Sequence, residues 1–370
     1  MAVSPRRDGA GALSVVAVTV ENMTVRESSA SGTTVADADE VERGLEQHRV
    51  ELTGYCYRML GSAFEAEDAV QETLVRAWRA ADRFEGRSSL RSWLYRIATN
   101  VCMDSLNAGK RRARPMDLSP ASHADAVLPD PTSDGMWVEP APDGRVVPEG
   151  GDPADVVVSR ETVRLAFIAA LQHLPPRQRA VLILREVLAW KASETAELLE
   201  TTVPSVNSAL QRARATLAQA GASADTAVRD AALDDEREAL LARYVDAFER
   251  YDLASLTTLL HEDAVLNMPP YPMWVTGHDD IRDFMATVGA GCAGSRLVPV
   301  GASGLPGFAQ YRPTPEGGFR AFALQVIETS GGRISTMTSF HDAARLFPLF
   351  GLPLELPAEP GQLHQHPQAG

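Results

Sequence analysis

A cluster of prolines divides this chain into separately folding parts. Eight prolines, together with Asp, Gly and Ser, fall between residues 113 and 153 of the 370-residue sequence. Proline lacks a backbone donor and clashes with the preceding helical turn, so neither a helix nor a compact core can continue through such a stretch. Helical periodicity precedes it at 39–114 and returns at 155–220. We therefore predict two helical domains joined by an acidic, proline-rich linker at 115–154.

The net charge follows the same division. The whole chain carries −14, which is unfavourable to nucleic-acid binding, but residues 41–114 and 156–218 are each net +3, whereas 115–155 is −8 and 219–370 is −9. Contact with phosphate requires local rather than overall positive charge. The acidic linker could imitate nucleic acid, although its composition favours a plain flexible tether. The charge pattern permits DNA binding by the helical blocks without establishing it.

The N-terminal segment, residues 1–38, is rich in Ser, Thr, Ala and Gly without sustained periodicity, and we expect it to be disordered. The apolar run Val15–Val20 is far shorter than the roughly 20 residues that span a bilayer, and no convincing cleavage site follows it. The cysteines form no CxxC pair, so neither a zinc site nor a disulfide framework is indicated. We expect a cytoplasmic protein without a metal or cofactor.

The first helical block contains an amphipathic helix over 64–79. Small and apolar residues recur in it at three- and four-residue spacing and predict one buried stripe that ends at Trp78. Asp68, Gln71 and Glu72 fall on other faces, which in an isolated helix would simply be solvated. This helix therefore presents an acidic and amide-bearing surface.

A second helix of this block, over 90–104, places arginines beside aromatic residues. Arg91 and Arg96 alternate with Trp93 and Tyr95, and a basic run follows the helix. Bases stack on aromatic rings while guanidinium groups hold phosphates, so this composition suits single-stranded nucleic acid. Trp93 would serve equally well as a core residue.

The second helical block predicts a helix-turn-helix. One helix has proline near its first turn, at Pro176. A short helix and a turn over 201–203 follow, and a last helix runs over 204–217. Small polar residues at the start of that helix and arginines later in it are typical of a recognition helix. Any amphipathic helix pair gives part of this pattern.

Both blocks resemble conserved regions of one protein family. The segments GYCYRMLG (54–61), AEDAVQET (66–73) and RSWLYRIATN (91–100) resemble region 2 of the extracytoplasmic-function sigma factors. LPPRQRAVLILREVL (174–188) and the helices after it resemble region 4 of the same family. The resemblance implies a promoter-reading subunit of RNA polymerase that is not an enzyme.

The resemblance also implies roles for individual residues. Asp68, Gln71 and Glu72 correspond to the surface that docks on the β′ clamp of core polymerase. The residues implied in capturing the melted −10 element are Phe84, Arg87, Ser88, Ser89, Arg91, Trp93, Asn100 and Asp104. The residues implied near base edges or phosphates of the −35 element are Ser205, Asn207, Ser208, Gln211, Arg212 and Arg214. Many relatives have Lys or Arg at the position of Asn207, which leaves the base preference open.

The implied partners follow from the same family. They are core RNA polymerase, through its β′ clamp and its β flap, and promoter DNA. A separate anti-sigma factor is a further partner that such proteins can have. The resemblance implies no membrane partner.

The C-terminal third has a different pattern. An amphipathic helix over 238–251 is followed by LHEDAVL (260–266), by GHDDI (277–281) and by glycine-punctuated strands at 319–328 and 333–341. This order resembles the polyketide-cyclase-like (SnoaL-type) branch of the nuclear-transport-factor-2-like superfamily. The resemblance implies a curved sheet wrapped by helices around a pocket.

We place this pocket domain at 234–345 and a tail at 346–370. The side chains that we expect in the pocket are Asp263, Tyr271, Trp274, His278, Arg320 and His341. A regulatory role in cis is the favoured function of the domain. Sensing of a small-molecule ligand and acid–base catalysis are the alternatives.

The sequence thus predicts a multidomain fold, in which two all-α sigma domains precede an α+β curved-sheet cone domain. Two other functions stay open. A DNA-binding regulator fused to a small-molecule isomerase or cyclase would turn over a ligand without polymerase. A repressor would bind duplex DNA by itself, whereas a sigma factor needs core enzyme.

Overall fold

The described part of the chain covers both helical blocks and the C-terminal domain. The computed structural model describes residues 44, 46–81, 84, 86, 88–109, 111–132, 135–148, 150, 153–219 and 231–358. Three expectations fall elsewhere: the disorder of residues 1–38, the role of Arg87 and the end of the tail all lie outside the described residues.

The first helical region consists of α1 (Arg49–Leu60), α2 (Ala63–Arg79) and α3 (Leu90–Ala108). Ser62 and Ser89 start α2 and α3, because each side chain accepts a hydrogen bond from a backbone N–H three residues further on. Large aromatic residues fill the space between the helices. The rings of Tyr55 and Tyr95, for example, are fully buried with their centroids 5.1 Å apart.

The helix α2 confirms the predicted helix but differs at one residue of its predicted stripe. Ala66, Val70 and Ala77 are buried as expected, whereas Trp78 is 64% exposed. Adjacent helical residues lie about 100° apart around the axis, so the residue after Ala77 points away from the core. The prediction that Trp78 belongs to the buried stripe is wrong.

The proline-rich linker is held in place by long-range hydrogen bonds in its described residues. It contains a short helix, α4 (Asp143–Val146). The N–H of Glu139 donates to the carbonyl of Gly61, at 3.0 Å, and the N–H of Ser303 donates to the carbonyl of Ala141, at 2.8 Å. The linker therefore joins the first helical region to the C-terminal domain and does not act as the flexible tether that its composition suggests.

The second helical region has the predicted helix-turn-helix. It consists of α5 (Pro153–Glu161), α6 (Leu165–Leu171), α7 (Pro176–Leu182), α8 (Ala192–Leu198) and α9 (Val203–Gln219). A π-helical turn over Ile183–Val187 follows α7. The hydroxyl of Thr202 accepts a hydrogen bond from the N–H of Ser205, at 3.3 Å, at the start of α9. Val206 and Leu210 are buried on the inner face of α9.

The C-terminal domain is a curved sheet covered by helices, as the sequence predicts. Its helices are α10 (Ala231–Glu249), α11 (Leu253–Leu259), α12 (His278–Ala286) and α13 (Ala343–Leu349). Its strands are β1 (Leu260–Asn267), β2 (Trp274–Thr276), β3 (Arg296–Ala302), β4 (Leu305–Pro313), β5 (Phe319–Ser330), β6 (Arg333–Phe340) and β7 (Glu355–Leu356).

The strand order is β2-β1-β6-β5-β4-β3, with β7 paired to β5. Only the β1–β6 pairing is parallel among the described strands. The strands β5 and β6 match those predicted from the glycine-punctuated pattern. The described part of the predicted tail completes the domain, because β7 adds to the sheet and α13 buries Leu346 and Phe347.

The two faces of this sheet have different neighbours. Successive side chains of a strand point to opposite faces. On β4, Ala309 and Tyr311 belong to a hydrophobic core that is continuous with both helical regions. Phe308 packs in a second core inside the C-terminal domain, and Gln310 and Arg312 line a cavity there. One face therefore packs on the helical regions, and the other faces the domain interior.

Glu139 of the linker joins three parts of the chain. Its carboxylate accepts a hydrogen bond from the hydroxyl of Ser62 and lies 3.7 Å from the guanidinium groups of Arg112 and Arg345. Arg345, from α13, also lies over the ring of Phe64 in α2, 4.2 Å from its centroid. Burial raises the pKa of Glu139. The positive charges of Arg112 and Arg345 oppose that rise in pKa.

Buried arginines connect the two helical regions. In α1, Arg58 donates to the carbonyl of Ser159, at 3.1 Å, and to the hydroxyl of Thr162, at 2.9 Å. In α7, Arg179 donates to the carbonyl of Met59. Burial lowers the pKa of both Arg58 and Arg179 to about 10. Because unpaired buried charges are costly, these bonds hold the two regions in one arrangement.

A glycine pair tests the contact between the C-terminal domain and the second helical region. Gly304 and Gly332 both lie in hairpin turns with positive φ, 72° and 73°, so alanine brings the same backbone strain to each. A Cβ at Gly304 would overlap the carbonyl of Arg160, whereas a Cβ at Gly332 would meet nothing within 4 Å. We expect Gly304→Ala to lower the free energy of unfolding by at least about 1 kcal/mol more than Gly332→Ala.

The measurement is urea denaturation of both variants, followed by circular dichroism. Equal losses of stability in the two variants would contradict the close backbone contact at Arg160.

Candidate functional site

The residues expected at the −10 element lie at the start and along one side of α3. Phe84 packs on Trp93, with ring centroids 5.0 Å apart. The hydroxyl of Ser89 caps the helix by accepting from the N–H of Ser92, at 3.1 Å, and Ser88 precedes it. Phe84, Ser88 and Trp93 are half-buried and Ser89 is exposed, so together they form an aromatic and hydroxyl-bearing patch.

Further along α3, Asn100 and Asp104 are exposed. The carboxylate of Asp104 lies 3.7 Å from the guanidinium of Arg76 in α2. Tyr95, which the sequence placed among the stacking residues, is fully buried. It is therefore a core residue and has no face left for a base.

Arg91 in α3 contacts Glu51 of its own region and Trp190 of the second helical region. Its Nε donates to a carboxylate oxygen of Glu51, at 2.9 Å. Its guanidinium lies 5.1 Å from the ring centroid of Tyr95 and 5.3 Å from that of Trp190. Trp190 lies just before α8 and also packs on Tyr95, at 5.1 Å. The helix-turn-helix thus covers part of an arginine that is expected to bind the melted strand, and the side chain stays 40% exposed.

The residues expected at the −35 element all lie on the outer face of α9. Those exposed side chains are Ser205, Asn207, Ser208, Gln211, Arg212 and Arg214. Arg214 forms an ion pair with Glu186, at 2.6 Å. The helix can therefore present its polar side chains and Arg212 to a groove as it stands, whereas Arg214 first has to leave Glu186.

The surface expected to bind core polymerase lies on α2. Asp68, Gln71 and Glu72 are exposed as predicted. Val75 and Trp78 on the same helix are 40% and 64% exposed. Exposed tryptophan is uncommon in a monomer surface and is enriched in interfaces. Sequence periodicity missed Trp78 because the same spacing also fits a buried stripe.

A cavity of about 300 Å³ lies inside the C-terminal domain. Most of its wall is apolar or aromatic, with Phe248, Met268, Phe284, Phe322 and Met337 among the lining residues. No Asp or Glu is among the residues that line it in the described structure. The cavity is therefore a hydrophobic site with few polar groups.

The polar floor of the cavity is a chain of satisfied hydrogen bonds. The hydroxyl of Tyr244 donates to Gln325, at 2.8 Å. The amide of Gln325 donates to Gln310, at 3.0 Å, and the amide of Gln310 donates to the hydroxyl of Ser295, at 3.0 Å. These side chains are buried and fix one another. None of these four was predicted as a pocket residue, because the two strand glutamines, Tyr244 in α10 and Ser295 before β3 belong to no distinct sequence motif.

Arg312 and His341 are further polar residues of the cavity lining. The guanidinium of Arg312 lies 3.3 Å from the ring centroid of Phe322 and 3.1 Å from Cys292 Sγ. The ring of His341 packs edge-on against Phe322 and Tyr271. Burial, with a further contribution from the charge of Arg312, lowers the pKa of His341 to about 4. His341 is thus neutral at pH 7.

The structure brings two of the expected pocket residues to the cavity. Tyr271 and His341 line it. Trp274 lies outside the lining, and its indole Nε1 donates to the carbonyl of Ser119 in the linker, at 2.9 Å. Trp274 therefore holds the linker against the domain.

The other three expected pocket residues lie elsewhere. Asp263 is exposed at the start of β1. Arg320 is exposed and lies 3.6 Å from Glu355 of β7. His278, at the start of α12, lines a separate open depression. The sequence motif around these residues identifies the fold but does not show which face of each element meets the cavity.

Comparison with known proteins agrees with this arrangement of parts. The chain matches Sigma-70 region 2 over residues 45–112, Sigma-70 region 4 over 164–217 and the SnoaL-like domain over 241–337. It is 44% identical over 315 residues to the ECF RNA polymerase sigma factor SigG of Mycobacterium tuberculosis, across 83% of this chain and 82% of that protein. The chain belongs to the ECF RNA polymerase sigma factors.

A solved relative shows the same fold for a sigma factor of this kind. The crystal structure of the extracytoplasmic function sigma factor SigJ of Mycobacterium tuberculosis aligns with a TM-score of 0.54 at 22% identity, covering 86% of this chain and 100% of that one. By sequence, SigJ is 26% identical over 285 residues, across 72% of this chain and 82% of SigJ. The predicted multidomain fold is confirmed.

No described helix of this sigma factor is both long and apolar enough to cross a membrane. The three cysteines, Cys56, Cys102 and Cys292, are free and buried. Cys56 and Cys102 lie in the core of region 2, while Cys292 lines the cavity.

The environment of His341 predicts an unusual titration. We expect nuclear magnetic resonance of labelled histidine to give a midpoint near pH 4, far below the unperturbed value of about 6.5. Arg312→Gln should raise that midpoint, because it removes a positive charge. The unfolded chain protonates His341 at higher pH than the folded chain, so acidification through this window lowers stability. A midpoint near 6.5 in the native protein would contradict the buried, neutral imidazole.

Proposed function

We propose that this sigma factor directs core RNA polymerase to promoters and that the structure is its closed form, held in cis by the C-terminal domain. In this proposal, Asp68, Gln71 and Glu72 contact core polymerase. The side chains from Phe84 to Asp104 named above bind the melted −10 element. The outer face of α9 binds the −35 element.

The contact of Arg91 with Trp190 is the main observation that supports a closed form. It places the turn before α8 on the side of α3 that is expected to hold the melted strand. The −10 and −35 elements are about 25 base pairs apart, which is about 85 Å along duplex DNA. Two regions in van der Waals contact cannot reach both elements together. Promoter binding therefore requires the regions to separate.

The C-terminal domain supports the closed form from the opposite side. The hydroxyl of Tyr57 in α1 lies 2.9 Å from the hydroxyl of Ser303 in the β3–β4 turn. Arg345 lies over Phe64 of α2. One hydrophobic core runs through both helical regions and the sheet. Burial of this shared surface favours the closed form, so separation of the regions has to disrupt contacts with the domain as well.

Regulation is a better account of the C-terminal domain than acid–base catalysis. Among the described residues, the cavity lining includes no carboxylate that could act as a general acid or base. His341, with a pKa of about 4, is a weak base at pH 7. The lining suits binding, and the outer face of the same sheet contacts the DNA-reading regions.

The variant Trp190→Ala tests whether removing the contacts of this ring with Arg91 and Tyr95 opens the closed form. Aromatic and cation–π contacts contribute roughly 0.5–1.5 kcal/mol each. In this proposal the β′ clamp and the β flap of core polymerase hold the two regions apart. We therefore expect the loss of these contacts to tighten the binding of full-length protein to core polymerase by about fivefold or more, as measured by fluorescence anisotropy. Trp190→Phe keeps an aromatic ring at this position, so its affinity for core polymerase should stay close to that of the wild type. Circular dichroism checks that both variants are folded.

A second variant opens the structure at a different contact. Gly304→Ala should also tighten polymerase binding, because it displaces the C-terminal domain from Arg160, whereas Gly332→Ala should not. If folded Trp190→Ala and Gly304→Ala both bind core polymerase no more tightly than wild type, the closed form does not restrain this sigma factor.

A further inference from the structure

The cavity of the C-terminal domain has one cationic group in an otherwise apolar wall. Arg312 is the charged residue among its described lining residues. No carboxylate pairs with its guanidinium in the described structure, where its contacts are the ring of Phe322 and the thiol of Cys292. A positive charge in an apolar site favours a ligand with the opposite charge.

Two polar atoms at this end of the cavity lack hydrogen-bond partners. Nε of Arg312 and Nε2 of His341 are shielded from solvent and unpaired within the described residues. By contrast, Tyr244, Gln310 and Gln325 on the floor of the same cavity are linked to one another. Buried polar groups are normally satisfied, and exceptions require an explanation. A ligand with acceptor atoms at this end would satisfy both groups.

The volume of the cavity limits the size of such a ligand. It is about 300 Å³, roughly twice the volume of a cavity of about 150 Å³ that binds benzene. Aromatic and thioether side chains surround it and suit flat or flexible apolar groups. One or two rings, or a chain of similar volume, would fill it.

We propose that this cavity binds a small hydrophobic anion, whose carboxylate or similar acidic group lies between Arg312 and His341. The neutral imidazole of His341 can donate one hydrogen bond to the anion, and Arg312 supplies charge and a second donor. The rings of Phe284, Phe322 and Phe248 contact the apolar part.

The linker between the two DNA-reading regions closes one side of this site. Leu128 lines the cavity. The segment around it is fixed to the domain, since the N–H of Ser122 donates to the carbonyl of Trp274, at 2.8 Å, and the N–H of Thr132 donates to that of Pro270, at 2.9 Å. A ligand in the cavity therefore contacts the connection between the DNA-reading regions directly. Occupancy of the cavity should stabilise this segment.

Calorimetry with the full-length protein tests the charge preference. The probes are 2-naphthoate, the neutral 2-naphthalenemethanol and the cationic 2-naphthylmethylammonium, which share the same rings. We expect 2-naphthoate to bind at least about tenfold more tightly than the alcohol, with the cation weakest. Arg312→Gln should remove the preference, and Arg312→Lys should keep most of it. No binding of 2-naphthoate, or the same preference in folded Arg312→Gln, would overturn the proposal.

A neighbouring pair of residues tests the contribution of the linker. Leu128→Ala should weaken 2-naphthoate binding several-fold, because it removes part of the wall. Val127 is 89% exposed, so Val127→Ala should not change the affinity for 2-naphthoate. Hydrogen exchange of residues 119–132 should slow when 2-naphthoate is bound. If Leu128→Ala binds 2-naphthoate as tightly as Val127→Ala does, and the ligand leaves hydrogen exchange of residues 119–132 unchanged, the linker does not close the site. These measurements need no polymerase, so their result is independent of the closed-form proposal.

Discussion

The contact between the ring of Trp190 and the guanidinium of Arg91 is the one on which the proposed closed form depends. It places the helix-turn-helix of region 4 against α3, the region 2 helix that is proposed to bind the melted strand. Buried arginines nearby, Arg58 and Arg179, satisfy carbonyl groups across the same boundary. In the proposed closed form, the surfaces proposed to bind the −10 and −35 elements are too close to engage a promoter together. The helix α9 is exposed, but the proposed −10 surface on α3 is partly covered.

The C-terminal domain links this boundary to a cavity through one sheet. On β4, Tyr311 packs toward the helical regions and Arg312 toward the cavity, because side chains alternate along a strand. The linker contributes to both sides as well, through Glu139 at the helical regions and Leu128 at the cavity. A ligand that shifts the sheet or the linker would thus alter the surface that supports the closed form. This gives the cis regulation proposed above a physical route.

Local patterns in the sequence predict the helices well and the contacts between domains poorly. The helices α2, α3 and α9 follow from apolar spacing and capping residues, and the family resemblance predicts which of their residues bind polymerase or DNA. Spacing alone misplaces Trp78, because a stripe of apolar residues can be core or interface. It also cannot show that a proline-rich linker bonds to Gly61 and Ser303, which are distant in sequence. Arg312 was missed for a similar reason: nothing local marks a strand residue that faces a cavity.

Energy transfer between the two DNA-reading regions tests the closed form most directly. The native cysteines are buried, so dyes can be placed at Asn107→Cys on α3 and Ala215→Cys on α9, both exposed positions. The closed form predicts high transfer efficiency in the free protein and a large loss on binding core polymerase and promoter DNA. Low efficiency in the free protein, or an efficiency that core polymerase leaves unchanged, would contradict it.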